Sequence, residues 1–135
     1  MQHPLEIARV NRAALSKIIE NYSLKQLNTV PEGFNNNLIW NIAHVIVTQQ
    51  LLMYKLSGLP MQVSDEMVEK YKKGTKTERD ISQEEVDIIK KLLLTTLNQT
   101  EKDLKDQIFK NFNEYPTSTG FVLRSIEDAL HFNNF

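Results

Sequence analysis

The stretch Asn36-Asn37-Leu38-Ile39-Trp40-Asn41-Ile42-Ala43-His44-Val45 opens the most apolar segment of the chain. Its apolar residues (Leu38, Ile39, Trp40, Ile42, Val45, Ile46, Val47, Leu51, Leu52 and Met53) wrap most of a helical circumference. A helix apolar nearly all round is a central one, packed on several neighbours or on a second subunit. One of Asn35, Asn36 and Asn37 is expected to cap it, because a short amide side chain accepts from the free N–H groups of a first turn. Gly58 is expected to end it, and Pro60 prevents its continuation. His44 is the single imidazole in this segment, so it must find a partner or stay neutral at a real cost.

Three further helices follow from periodicity and caps. Upstream, Ile7, Val10, Ala14, Ile18 and Tyr22 keep three-four spacing and predict a helix from Pro4 to Tyr22, with Arg9, Arg12, Lys17 and Glu20 largely outside its buried stripe. Ser23–Phe34 reads as a link, broken by Pro31 and Gly33. Leu59–Ile81 is a long connection in which Ser64-Asp65-Glu66 starts a short helix stopped by Gly74, with Glu66 placed to pair with Lys70. Residues 72–80 are charged and read as solvent-exposed loop. Ser82-Gln83-Glu84-Glu85 has the form of a capping box, Ile81 and Val86 stand at staple spacing, and Val86, Ile89, Leu93, Leu97, Thr100 and Leu104 carry a third bundle helix to about Gln107. Asp87–Lys91 and Glu101–Lys105 are four-residue charge pairs on its outer face. A loop from Phe109 to Gly120 leads to a last helix, Phe121–Phe135. That helix lacks a cap, a breaker or a polar tail, so it is expected to be truncated, the natural chain continuing beyond Phe135. The sum is an all-α, up-down four-helix bundle with a long crossover between its second and third helices.

The chain has 135 residues, 41% hydrophobic and 24% charged, which fits one domain, 1–135, with a core of its own. A net charge of −1 with interspersed signs gives no footprint for nucleic acid or an anionic membrane. Without cysteine there are no disulfides, thiolate metal sites or cysteine nucleophile. Asn41, His44, Gln49, Gln50 and Lys55 interrupt the longest apolar run, which argues against a membrane span, and no signal peptide is evident. The expected location is therefore cytoplasmic.

Candidate chemistry rests on the histidines. His3 lies at a terminus expected to fray. His44 is either a core histidine hydrogen-bonded to a neighbouring helix or a metal ligand. His131 has Glu127 and Asp128 four and three residues before it and reads as paired with a carboxylate, or as a second ligand. Helical ligands normally come at i, i+3 or i+4, and no such histidine pair exists; Phe135 stands four residues after His131. There is no nucleophile elbow, and the four glycines are too scattered to cradle phosphate. Glu84-Glu85 and Glu127-Asp128 are helix-start and surface charges, and Met53, Met61 and Met67 are packing residues.

The helix order, the lead-in Pro31-Glu32-Gly33-Phe34-Asn35-Asn36-Asn37 and Trp40-Asn41-Ile42-Ala43-His44-Val45 together make this chain resemble the DinB-like (DinB/YfiT-like) family of metal-binding four-helix bundles over nearly its whole length. The resemblance implies a divalent metal, nickel or zinc, held by three histidines. His44 matches the one on the second bundle helix. The other two form a histidine-x-x-x-histidine pair in the fourth, toward which residues 123–130 lead; His131 falls a little early for its first member, and the pair is expected just past Phe135. Some relatives are thiol-dependent S-transferases, in which the metal lowers the pKa of a small thiol so that the thiolate attacks an electrophile. On that pattern His44 is a ligand, and Trp40 or Asn41 orients it. The rival is a non-catalytic bundle whose apolar second helix builds a homodimer interface, with His44 as a satisfied core residue.

Overall fold

The computed structural model describes residues 2–117 and 122–133, with side chains described for 4–117 and 122–130. In chain order its elements are α1 (Gln2–Asn21), α2 (Leu24–Asn28), α3 (Leu38–Gln50), which runs on through a π-helical turn (Leu51–Lys55), α4 (Asp65–Tyr71), α5 (Gln83–Lys105), β1 (Tyr115–Pro116), β2 (Val122–Leu123) and α6 (Ile126–Asn133). The architecture is the expected all-α bundle: α1 and α3 each pack against both α5 and α6, so these four helices enclose the core.

Of the three candidate asparagines, Asn37 is the cap of α3. Its side chain accepts from the Trp40 amide at 2.9 Å. Gly58 ends the segment at φ +72°, and the Leu59 and Gly58 amides donate to the Tyr54 and Lys55 carbonyls at 2.8 and 3.0 Å. That is the paired 6→1 and 5→2 bonding of a Schellman motif, which a residue without Cβ enters free of strain. The apolar circumference of α3 is covered from within the chain by α2, α4, α5 and α6. Its central place therefore needs no second subunit. Two apolar clusters lie along it, one around Ile39, Ile42 and Ile46, the other around Leu52, Met53 and Tyr54. Between them Gln49 and Gln50 are buried but paired: Gln49 donates to the Thr100 hydroxyl at 2.8 Å, and Gln50 accepts from the Gln62 amide at 2.7 Å.

Several expectations are corrected. The buried line of α1 is Leu5, Ala8, Arg12 and Ile19, while Val10 on the expected stripe is 70% exposed and Ile7 and Tyr22 also reach solvent. The helix turns its arginine inward because Arg12 donates to the Leu93 carbonyl and the Thr96 hydroxyl of α5, both at 2.9 Å. Within the expected link, Ser23 and Gln26 form a reciprocal capping box and fold α2. At Ser82 only half of the expected box forms: Ser82 accepts from the Glu85 amide at 3.2 Å, but the Glu85 carboxylate turns to Lys70 and Tyr71. Lys70 is thereby taken from Glu66. Ile81 and Val86 are both buried in the first cluster, as staple spacing predicts. Glu101–Lys105 forms at 3.5 Å, whereas Asp87 accepts from Gln83 instead.

The last segment also differs. Val122–Leu123 pairs antiparallel with Tyr115–Pro116, and α6 begins only at Ile126. Ser125 accepts from the Asp128 amide at 3.1 Å, and Asp128 accepts in return from the Arg124 amide at 3.0 Å, which fixes the helix start. Residues 134–135, on which the expected uncapped end falls, lie outside the described residues.

Candidate functional site

His44 sits on α3 one turn after Trp40 and one turn before Thr48. Trp40 stacks on it, with ring centroids 4.7 Å apart and planes at 12°. This i, i+4 contact is what helical geometry gives two aromatic rings on one face. The Nδ1 of His44 lies 2.7 Å from the Tyr71 backbone carbonyl. A carbonyl only accepts, so Nδ1 carries the proton and donates. Tyr71 is the last residue of α4, where carbonyls have no partner within the helix. The imidazole thus closes the C-terminus of α4 and ties that helix to α3.

With Nδ1 protonated, the lone pair of the neutral ring is on Nε2. Its neighbour is the Thr48 hydroxyl at 3.3 Å, a long contact. His44 is half-buried and lines a cavity of about 470 Å³. Thr48 and, from the π turn, Leu51, Leu52 and Lys55 share its wall, while α4 and the residues after it add Val68, Glu69, Lys72 and Lys73, and the β-ribbon adds Tyr115. Of these, Leu52 and Val68 are buried and Lys55 and Lys73 are exposed, so the wall joins apolar depth to cationic surface. Glu69 is held by Lys72 at 2.8 Å.

Asn41 does not orient His44: it is exposed, and its side-chain amide donates back to the Asn37 carbonyl at 2.9 Å. Trp40 takes that place by stacking. His131 lies on α6, which packs on α3, but its side chain and that of His3 lie outside the described residues. Among the described residues no three His, Cys, Asp or Glu side chains cluster as a metal site.

Behind α4 a second polar set fixes its position. Glu85 of α5 receives the Tyr71 hydroxyl and the Lys70 ammonium, the latter at 2.7 Å. Burial and the Glu85 carboxylate push the Tyr71 hydroxyl well above its ordinary range. Burial alone would raise Glu85, but the hydrogen bonds from Lys70 and Tyr71 outweigh it and hold the carboxyl below its usual value. Deeper in the bundle Tyr54 donates to the buried Asp103, which also accepts from Gln99 at 2.8 Å. Burial, followed by that hydrogen bond, pushes Tyr54 up to about 12.

The residues that sequence reasoning missed are Tyr71, whose contribution is a backbone carbonyl with no side-chain signature, and the lysines of the rim. The signal for Tyr71 was positional: a short capped helix in the crossover must end somewhere, and its last carbonyls need donors. The family model described as DinB superfamily matches residues 8–135. No curated protein and no solved structure matches the chain.

Proposed function

This chain belongs to the DinB superfamily, and on that premise we propose that it is a metal-dependent protein in which His44 Nε2 is one ligand of a divalent cation, nickel or zinc. The observation that supports the reading is the tautomer. Nδ1–H is spent on the Tyr71 carbonyl, which leaves Nε2 as the donor atom beside a cavity. An imidazole that gives its outer N–H to a carbonyl is oriented and made more basic, which is how metal-bound histidines are usually held. One imidazole fits a divalent cation in this way; the described residues do not furnish a full ligand set.

The chemistry such a metal supplies when bound is the lowering of a thiol pKa, and the corresponding activity is thiol-dependent S-transfer to an electrophile. What the chain's own residues do is more modest. Trp40 and Tyr71 hold the imidazole in one orientation, and Leu51, Leu52, Leu56 and Val68 give the cavity an apolar floor. Lys55 and Lys73 at the rim suit a substrate with an anionic end.

The same hydrogen bond favours a second reading of His44: a core residue satisfied by the Tyr71 carbonyl in a non-catalytic bundle. The two part on metal stoichiometry. Titration with zinc or nickel followed by elemental analysis should give one equivalent in the protein and none in His44→Ala. A protein that takes no metal and folds normally would favour the second reading instead.

A further inference from the structure

The first helix presents its more apolar stripe to solvent. Arg12 lies on the buried line of α1, while Val10 is 70% exposed and Ile7 36%. Ala13 and Ala14, one turn further on, are exposed as well. Rotating the helix about its axis would exchange arginine for valine in the core, and the bonds from Arg12 to α5 prevent it. The outcome is an apolar outer face that nothing among the described residues covers.

The charges around this face select its occupant. Arg9 is committed to Glu101 and Asn98, and Glu20 to Lys90 at 3.0 Å. Glu6 and Lys17 are exposed, and neither has an ion pair or side-chain hydrogen bond among the described residues. They lie on one line with Val10 and Ala13, at steps of four, three and four residues, which keeps all of them on one side of a helix. Glu6 and Lys17 end the line; Val10 and Ala13 fill its middle.

Turned end for end, this line matches itself. Glu6 falls opposite Lys17, and Val10 falls opposite Ala13. A two-fold axis between Asn11 and Arg12 makes each contact twice, as an isologous interface does. A larger side chain then meets a smaller one at every step, which lets the two helices approach closely. Antiparallel helices also bring the positive end of one dipole beside the negative end of the other. The neighbouring helix widens the patch. Arg9 meets Asn98, Arg12 meets Leu93 and Thr96, and Glu20 meets Lys90, so α5 runs antiparallel to α1. Leu94, 46% exposed, is thereby level with Ala13.

We propose that the outer face of α1 is the interface of a homodimer, two copies packing antiparallel through Val10 and Ala13, with Glu6 of each facing the partner's Lys17. One helix from each side is less than the roughly 800 Å² per partner of a standard stable complex, so the dimer is a weak one, with a Kd on the order of 10–100 µM. Neither His44 nor a metal takes part, so this interface and the metal reading stand or fall separately.

The test is sedimentation equilibrium of the whole, metal-free protein from about 5 to 500 µM. The protein should pass from monomer to dimer over that range, and His44→Ala should do the same. Val10→Gln should weaken the dimer at least tenfold, with an unchanged far-ultraviolet spectrum because Val10 lies outside the core. Glu6→Lys and Lys17→Glu should each be at least tenfold weaker too, since each sets like charges opposite one another. Mixed in equal amounts, these two variants should form a heterodimer about as strong as the original homodimer, because both charge pairs are restored. A chain that stays monomeric at about 500 µM would overturn the proposal. So would a dimer unaffected by Val10→Gln or by either charge reversal, or a mixture of the two reversed proteins that associates no better than each alone.

Discussion

Replacing Asn28 by alanine should destabilise the protein more than its position in a five-residue helix suggests. Its buried side chain reads the Ile81 backbone in both directions: Nδ2 donates to the Ile81 carbonyl at 3.0 Å, and Oδ1 accepts from the Ile81 amide at 2.8 Å. A third bond, to the Leu24 carbonyl at 3.2 Å, holds the side chain to its own helix, while the Asn28 carbonyl accepts from the Asn37 side chain at 3.2 Å. The side chain thus joins α2 to the segment that leads into α5, and the backbone carbonyl of the same residue reaches the cap of α3. The two bonds to Ile81 are worth about 1 kcal/mol each, and leaving the buried Ile81 amide unpaired adds about 1–2 kcal/mol, for a total of about 3–4 kcal/mol. At a urea m-value of about 2 kcal/mol/M, the midpoint should fall by about 1.5–2 M. Asn28→Asp keeps the acceptor for the Ile81 amide but turns a carboxylate on two carbonyls; its loss should be large at neutral pH and partly recovered near pH 3, where a protonated acid can donate again. An Asn28→Ala loss below about 0.5 kcal/mol, with no faster exchange of the Ile81 amide, would refute the reasoning.

Arg12→Met should change stability by less than about 1 kcal/mol in either direction, despite the depth of the arginine, because both of its acceptors are already engaged within α5 or lie on its helical ladder; chemical denaturation decides, and a loss above about 3 kcal/mol would contradict it. The same burial lowers Arg12 to about 10, so the guanidinium is stabilised by packing and two neutral acceptors rather than by a counter-charge. Glu85→Gln should lower stability at neutral pH and flatten its acid arm: a carboxyl depressed in the folded state contributes above its ordinary value of 4.5, and that contribution is lost as pH falls through the folded one. Midpoints for the two proteins should therefore converge toward acid pH, and a gap independent of pH would sink this. Gln107 is a non-glycine residue at φ +55° in the Schellman motif that ends α5, its amide donating to the Leu104 carbonyl and that of Ile108 to Asp103. Gln107→Gly should raise stability by about 0.5–1 kcal/mol by removing that strain, measurable as a higher thermal midpoint.

The bundle was legible because its signals are local. Asparagine before an apolar run, Gly58 before Pro60 and serine three residues before Glu85 each act within one turn, and the structure uses all three. The face of α1 was not, because the stripe that is buried contains Arg12, and only the acceptors on α5 make an inward arginine affordable. Nor was the β-ribbon, since two-residue strands have no period to read and their pairing joins residues separated by a loop. At the site, the lone imidazole in an apolar helix singled out His44, and the four-residue step to Trp40 carried the stacking contact. The Tyr71 carbonyl and the cavity beside His44 arise from how the crossover folds back over α3, and a charged, apolar-poor loop such as residues 72–80 does not announce in sequence that it walls a cavity.

The central claim is that His44 Nε2 is a metal ligand, and long-range proton–nitrogen spectra of the imidazole rings test it most directly. In metal-free protein Nδ1 should carry the proton and Nε2 should be the bare nitrogen. One equivalent of zinc should move the His44 Nε2 resonance to the metal-bound range while the Nδ1–H bonded to Tyr71 persists, and His44→Ala should abolish zinc uptake. An Nε2 resonance that does not move with excess zinc would contradict the account and leave His44 as a core residue of the bundle.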